Sequence, residues 1–392
     1  MADATFSDRL SMNSAPATKP LVRLSRSSVS EADVDAVSAA LRKGFLGMGA
    51  EVDAFEKELA QYLGGNRHVM CVNTGTTALH LALQACGIGP GDEVLVPTLT
   101  FVASFQAISA TGATPVACDV LRETGCLDPA DAARRITPRT MAIMPVHYAS
   151  GPAPLEKIYA LAKNNNLRVI EDAAHAFGCT FNGTRVGSVG DVLCFSFDGI
   201  KNITSAEGGA VVTGDSLLAE KVRDARLLGV EKDTEKRFSG QRSWEFDVKS
   251  QGWRGHMSNL NAALGRSQLR RLDTEFGPRR AQLGKRYAEL LAGVPGLRHL
   301  NLEYGPIVPH IFPAFISDGK RDVAREALKA ENIESGIHYK PNHLLALYGG
   351  GKISLPVAEE LYAQMLTLPM HYELTDGEQD RVVAVVRRCL AG

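Results

Sequence analysis

Between residues 68 and 197 the chain repeats one arrangement, a short run apolar at nearly every position and then a helical pattern. "HVMCV" precedes "TTALHLALQACG", "DEVLVP" precedes "FVASFQAISATG", and "TPVACDV" precedes "DPADAARRI". "TMAIMPV" precedes "PLEKIYALAKNNN", and "LRVIEDAA" and "VLCFSF" follow. A strand with no polar face must be covered on both sides, and strands linked through helices lie parallel. The fold class is therefore α/β, with a mostly parallel central sheet covered by helices. Upstream, "SEADVDAVSAALRKG" opens with Ser30, carries Asp33 three residues on and stops at Gly44, the marks of a capped helix. "AEVDAFEKELAQYLGG" puts Val52, Phe55, Leu59 and Leu63 on one helical face.

At 392 residues the chain exceeds one ordinary domain. The pattern suggests a loose tail over 1–20, a large domain over 21–270 and a smaller C-terminal domain over 271–392. Residues 230–254, "VEKDTEKRFSGQRSWEFDVKSQGWR", read as an excursion from the large domain. Hydrophobic residues make up 45% and charged residues 22%, as in globular enzymes. A net charge of -1 gives no footprint for nucleic acid, and no apolar run is long enough to span a bilayer. Seven cysteines without a CxxC pair fit reduced thiols in a cytoplasm.

Ligands of open α/β sheets bind beyond the carboxyl ends of the strands, and three segments lie there. "VNTGTTALH" offers backbone amides and the hydroxyls of Thr76 and Thr77 beside Gly75; it suits a phosphate, or serves only to cap a helix. "LRVIEDAAH" ends an apolar strand with Glu171, Asp172 and, one turn on, His175. A carboxylate there either caps the next helix or faces a cationic partner. "VLCFSFDGIK" delivers Ser196 and then Lys201, a lysine that either emerges into water or is held as a nucleophile. Together, in this order, they meet the needs of pyridoxal phosphate: amides for its phosphate, an anion for its ring nitrogen and an amine for its aldehyde.

With these segments the sequence resembles the DegT/DnrJ/StrS family of pyridoxal-phosphate-dependent nucleotide-sugar aminotransferases, of fold type I, from about Leu41 to about Val382. The likeness is carried by "TGTTALHLALQACGIGPGDEVLVPTLTFVAS", by "VIEDAAHAFGCTFNGTRVGSVGDVLCFSFDGIKNITSAEGGAVVTGD", and by "MSNLNAALGRSQL" and "IHYKPNHL". It implies that Lys201 bonds the cofactor and that Asp172 keeps the pyridine nitrogen protonated. His175 would lie against the ring and Phe101 would stack on it. Gly75, Thr76, Thr77 and Ser196 would hold the phosphate. His338 and His343 match a segment that approaches the substrate. As metal ligands these two lack an acidic or Cys partner, and no metal site is expected. Where the family commonly shows "GYNYRMS", this chain reads "GWRGHMSN", so Arg254 or His256 would reach the cofactor phosphate of a second subunit in a homodimer.

The implied reaction moves an amine from L-glutamate to a nucleotide-diphosphate ketosugar, for a cell-surface polysaccharide, lipopolysaccharide or a secondary metabolite. The cations of the excursion, Arg237 and Arg242 among them, would close over the diphosphate. Relatives acting on cyclitols or aminohydroxybenzoate precursors share these cofactor residues, and a non-catalytic regulatory protein could keep them too. Lys201 argues against the dehydrating branch, which has His at that position.

Overall fold

The computed structural model describes residues 19–391 except 65 and 243; residues 1–18 of the expected tail lie outside the described residues. Helix α1 (Glu31–Lys43) starts at Ser30, where the reciprocal bonds of a capping box with Asp33 satisfy free amides, and ends at Gly44 with a left-handed φ of 74°. Helix α2 (Ala50–Leu63) buries Val52, Phe55, Leu59 and Leu63, the face its spacing predicts.

The strands and helices then alternate: β1 (His68–Val72), α3 (Gly75–Ala85), β2 (Glu93–Pro97), α4 (Val102–Ala110), β3 (Thr114–Cys118), α5 (Pro129–Arg134), β4 (Thr140–Ile143), α6 (Leu155–Asn164) and β5 (Arg168–Asp172). A small hairpin, β6 (Thr180–Phe181) and β7 (Thr184–Arg185), precedes β8 (Val192–Ser196) and β9 (Gly209–Thr213). Among the described residues seven of these strands form the main sheet, in the order β1-β9-β8-β5-β4-β2-β3. Neighbours from β3 across to β8 run parallel, whereas β9 is antiparallel to both β8 and β1. Every residue of β2, β8 and β9 is buried, as strands covered on both faces require.

After β9 come α7 (Ser216–Ala225) and the 230–254 excursion, which contains α8 (Asp233–Phe238). The excursion is rooted by isolated pairings of Leu227 with Arg254 and Val230 with Val248. Beneath that root the buried guanidinium of Arg226 pairs with Glu56 and donates to the Cys71 carbonyl at 2.8 Å. At its outer end Trp244 and Phe246 face water. Arg237 is bonded to Asp233 within the excursion, at 2.5 Å.

Helix α9 (Asn259–Arg271) continues through a π turn, Leu272–Phe276, into α10 (Gly277–Leu291). The boundary expected at residue 270 falls inside this continuous run. An antiparallel sheet of β10 (Leu297–His299), β11 (Phe312–Ile316) and β12 (Met365–Leu368) follows. It shares one apolar core with α10, α11 (Arg321–Ala330) and the last helix, α13 (Asp376–Leu390); α12 (Pro356–Gln364) packs on the main core instead. Val22, inside the span expected for the large domain, is buried in this smaller core and paired with Ile333. No helix among the described residues is long and apolar enough to cross a membrane.

Candidate active site

A cavity of about 370 Å³ opens where the carboxyl ends of β1, β2, β5 and β8 converge. Each strand delivers its own residues: Thr74, Gly75 and Thr76 after β1; Thr100 and Phe101 after β2; Asp172 and His175 from β5; Ser196 and Lys201 from β8.

At one end the first turn of α3 abuts β8. A Cβ on Gly75 would lie 2.8 Å from Cβ of Ser196, so only glycine allows this approach. Thr74 is the N-cap, and its Oγ1 accepts the N–H of Thr77 at 3.0 Å. That cap leaves the amides of Gly75 and Thr76 at a helix N-terminus, which suits an anion. Thr77 differs from expectation. Its amide and hydroxyl are both engaged with Thr74 Oγ1, and it does not line the cavity.

Asp172 lies at the end of β5 and is buried. Its Oδ2 accepts from Ser104 Oγ at 2.8 Å and its Oδ1 from the Ala174 amide at 3.1 Å. Burial pushes its pKa up, against the pull of those two bonds and of Lys201. Alternation along the strand turns Glu171 to the other face, where it binds His147 Nε2 at 2.9 Å and the Tyr159 hydroxyl at 2.7 Å.

Lys201 sits on the loop from β8 to β9, and burial lowers its ammonium from the ordinary value to about 8, although Asp172 and Asp198 favour the charge. Nζ reaches Nε2 of His310 at 3.5 Å. Three histidines crowd this amine. The His175 and His310 ring centres are 4.5 Å apart, His175 Nε2 meets the Tyr339 hydroxyl at 3.1 Å, and His338 lines the same wall. Burial first, and Lys201 next, hold all three in the neutral form, His338 at about 4. Phe101 stands at the rim, largely exposed, with its ring centre 5.5 Å from that of Tyr339.

The same loop carries Ala206 in the left-handed region, at φ 64°, where its N–H is held by Thr204 Oγ1 at 2.9 Å. A Cβ there is strained, so Ala206→Gly is expected to raise stability by about 0.5–1 kcal/mol. Thermal unfolding of the cofactor-free chain would measure this, and an unchanged or lower midpoint would contradict the strain.

Not every expected residue reaches the cavity. His343 is fully buried but does not line it. Both of its ring nitrogens are spent on Thr98 Oγ1, at 2.8 Å, and Glu359 Oε1, at 3.2 Å. These bonds tie the turn after Pro341 to the segment following β2 and to α12. Arg254 and His256 also lie outside the cavity of their own chain: His256 pairs with Val72, and Arg254 is exposed. His310 and Tyr339 line the cavity without having been foreseen. A single His in "VPHIFPA" follows no local pattern, and only the fold brings it to Lys201.

The residues fit pyridoxal phosphate. A buried carboxylate held by two neutral donors can answer a protonated ring nitrogen. Nδ1 of His175, buried and without a hydrogen-bond partner, remains for a polar group on the ring. A helix N-terminus and an amine with a lowered pKa complete the set.

Comparison with known proteins agrees. The sequence model of the DegT/DnrJ/EryC1/StrS aminotransferase family matches residues 27–387. The spore coat polysaccharide biosynthesis protein SpsC of Bacillus subtilis (strain 168) is 37% identical over 374 residues, covering 93% of this chain and 96% of that protein. The crystal structure of S. venezuelae DesV is 37% identical and superposes with a TM-score of 0.83, over 91% of this chain and 93% of that one. Spr1654 of Streptococcus pneumoniae in its PLP form is 27% identical with a TM-score of 0.86, over 95% and 99%.

Proposed function

The chain belongs to the DegT/DnrJ/EryC1/StrS aminotransferase family of pyridoxal-phosphate-dependent sugar aminotransferases, and from that premise we propose that it transfers the amino group of L-glutamate to a keto-deoxysugar carried on a nucleotide diphosphate. When bound, pyridoxal phosphate supplies the electron sink that lets an amine and a carbonyl exchange nitrogen. Gly75 and Thr76 amides and Ser196 hold its phosphate, Asp172 keeps the ring nitrogen protonated, and Phe101 covers the ring from the rim. Lys201 holds the cofactor between turnovers. Once free, its Nζ would take the proton from the donor's α-carbon and give it to the cofactor's aldehyde carbon, and with the sugar it would run the same transfer in reverse. An amine with a pKa near 8 suits both directions, since it gives and takes a proton near neutral pH.

That lowered amine, in one cavity with Asp172 and the α3 N-terminus, is the observation that carries the reading. The sugar is supported by the polysaccharide role named for SpsC. Two measurements test the proposal. Borohydride reduction of the loaded protein followed by peptide mapping is expected to leave the pyridoxyl mass on Lys201. Incubation with glutamate and a panel of nucleotide-linked 3-keto and 4-keto sugars is expected to release 2-oxoglutarate with at least one of them. The mass on another lysine overturns the assignment of Lys201; no release with any sugar overturns the substrate.

A further inference from the structure

His310 is the one hydrogen-bonding partner of Lys201 Nζ among the described residues. Its backbone is fixed at both ends. The His310 N–H donates to Ser150 Oγ at 3.0 Å, and Nη1 of buried Arg280 donates to the carbonyls of Pro309 and His310 at 3.2 and 3.4 Å. Ser150 Oγ in turn donates to the His175 carbonyl, which locks the two imidazoles side by side. Ala149 and Ser150 both hold left-handed backbone, at φ 51° and 67°. Such non-glycine strain persists only where the surroundings over-determine it. The backbone that carries the ring is thus held in place, and the ring itself packs on that of His175.

The charges around it decide its state. Lys201, Arg280, His175 and His338 all oppose a proton on His310, and burial opposes it more. Asp172 and Asp198 act on the Lys201 ammonium, and Glu207, Tyr339, Tyr148 and Cys194 are the other titratable groups on the wall, besides the histidines. A neutral imidazole facing an amine that is largely protonated at pH 7 presents Nε2 as the acceptor.

We propose that His310 is a positioning residue for the reacting amine: its unprotonated Nε2 accepts a hydrogen bond from Lys201 Nζ and fixes where that amine rests whenever it is not bonded to the cofactor. An amine that shuttles a proton must return to one place on each turnover, and a swinging side chain sacrifices that orientation. The inference rests on Lys201 being the cofactor-bearing lysine.

The test uses His310→Phe, which keeps the ring volume and removes the acceptor, and His310→Gln, which keeps an acceptor. In the cofactor-free chain, acylation of Lys201 by acetic anhydride is followed from about pH 6 to about pH 10, with the modified peptide quantified by mass spectrometry. Because the bond favours the charged amine, His310→Phe should lower the midpoint by about one pH unit, and His310→Gln should restore most of it. In the loaded enzyme, kcat of the glutamate half-reaction should fall about tenfold in the Phe variant with KM unchanged. Wild-type midpoint and kcat in a folded Phe variant overturn the proposal. The unmutated chain gives an independent reading. Spectra of ¹⁵N-histidine protein, assigned by the signal lost in His310→Gln, should show neutral His310 with bare Nε2 at pH 7. A protonated ring or an Nε2–H overturns it even if the Phe chain does not fold. If borohydride mapping lands on another lysine, the reading of Lys201 fails while the titration result stands.

Discussion

Replacing Asp172 with Asn is expected to leave a folded protein that still binds pyridoxal phosphate but performs the half-reaction with glutamate about a thousandfold more slowly. The local structure explains why the fold survives. Asn Oδ1 can accept the Ala174 amide as Asp172 Oδ1 does, and Asn Nδ2 can donate to Ser104 Oγ, whose hydroxyl then turns to Thr100 Oγ1 at 3.0 Å. The buried charge is also removed, and burial disfavours that charge already. Cofactor binding survives because the α3 amides and Ser196 act at the other end of the cavity. What is lost is the anion that keeps the ring nitrogen protonated, and with it the electron sink. Spectral changes on rapid mixing with glutamate measure the half-reaction, and absorbance after gel filtration measures retained cofactor. A rate near wild type would return Asp172 to the role of a turn-capping carboxylate, which its bond to the Ala174 amide also describes.

How far the sequence could be read follows from the range of the forces involved. "HVMCV" coincides with β1 and Ser30 caps α1, because apolar periodicity and side-chain capping act over a few residues. The carboxyl ends of β5 and β8 could be located in the same way, and with them Asp172, Ser196 and Lys201. Strand direction is another matter. "GAVVT" is as apolar as its neighbours, yet β9 runs antiparallel, and nothing in its own residues encodes that. Residues that enter the cavity from afar were equally hidden. His310 meets Lys201 across 109 positions of sequence, and Tyr339 arrives from a loop of the C-terminal region. The difference between His338, on the cavity wall, and His343, bound to Thr98 and Glu359, depends on which way each ring turns. At Thr77 the neighbouring residue decides: Thr74 takes the capping position and accepts the Thr77 amide, a choice between nearby threonines that spacing alone does not make.

A chain carrying Lys201→Ala and a chain carrying both Arg254→Ala and His256→Ala, each inactive alone, are expected to recover roughly a quarter of wild-type activity when their subunits exchange at random. The charge inventory of one chain motivates the proposed sharing. Lys201 is the only lysine or arginine among the described residues lining the cavity, against the carboxylates of Asp172, Asp198 and Glu207. A cofactor phosphate, with the carboxylates of glutamate in one half-reaction or the sugar diphosphate in the other, brings more negative charge than one amine can answer. Arg254 points to the source. Its guanidinium is exposed, outside its own cavity, at the root of an excursion whose Trp244 and Phe246 face water. His256 is the weaker candidate, since burial and then Arg237, Arg254 and Arg226 lower it to about 4, so at pH 7 it carries no charge. An arginine offers a phosphate two parallel charge-assisted hydrogen bonds, which a neutral imidazole cannot. In a twofold dimer whatever one chain lends it also receives. Half of randomly exchanged dimers are mixed. Within each of these, one site inherits both defects, while the other joins an intact Lys201 to an intact Arg254 and His256. Activity would be followed as 2-oxoglutarate release, with exchange verified by native mass spectrometry. Verified exchange without recovery, when the double variant is folded and inactive by itself, would mean that each chain completes its own site.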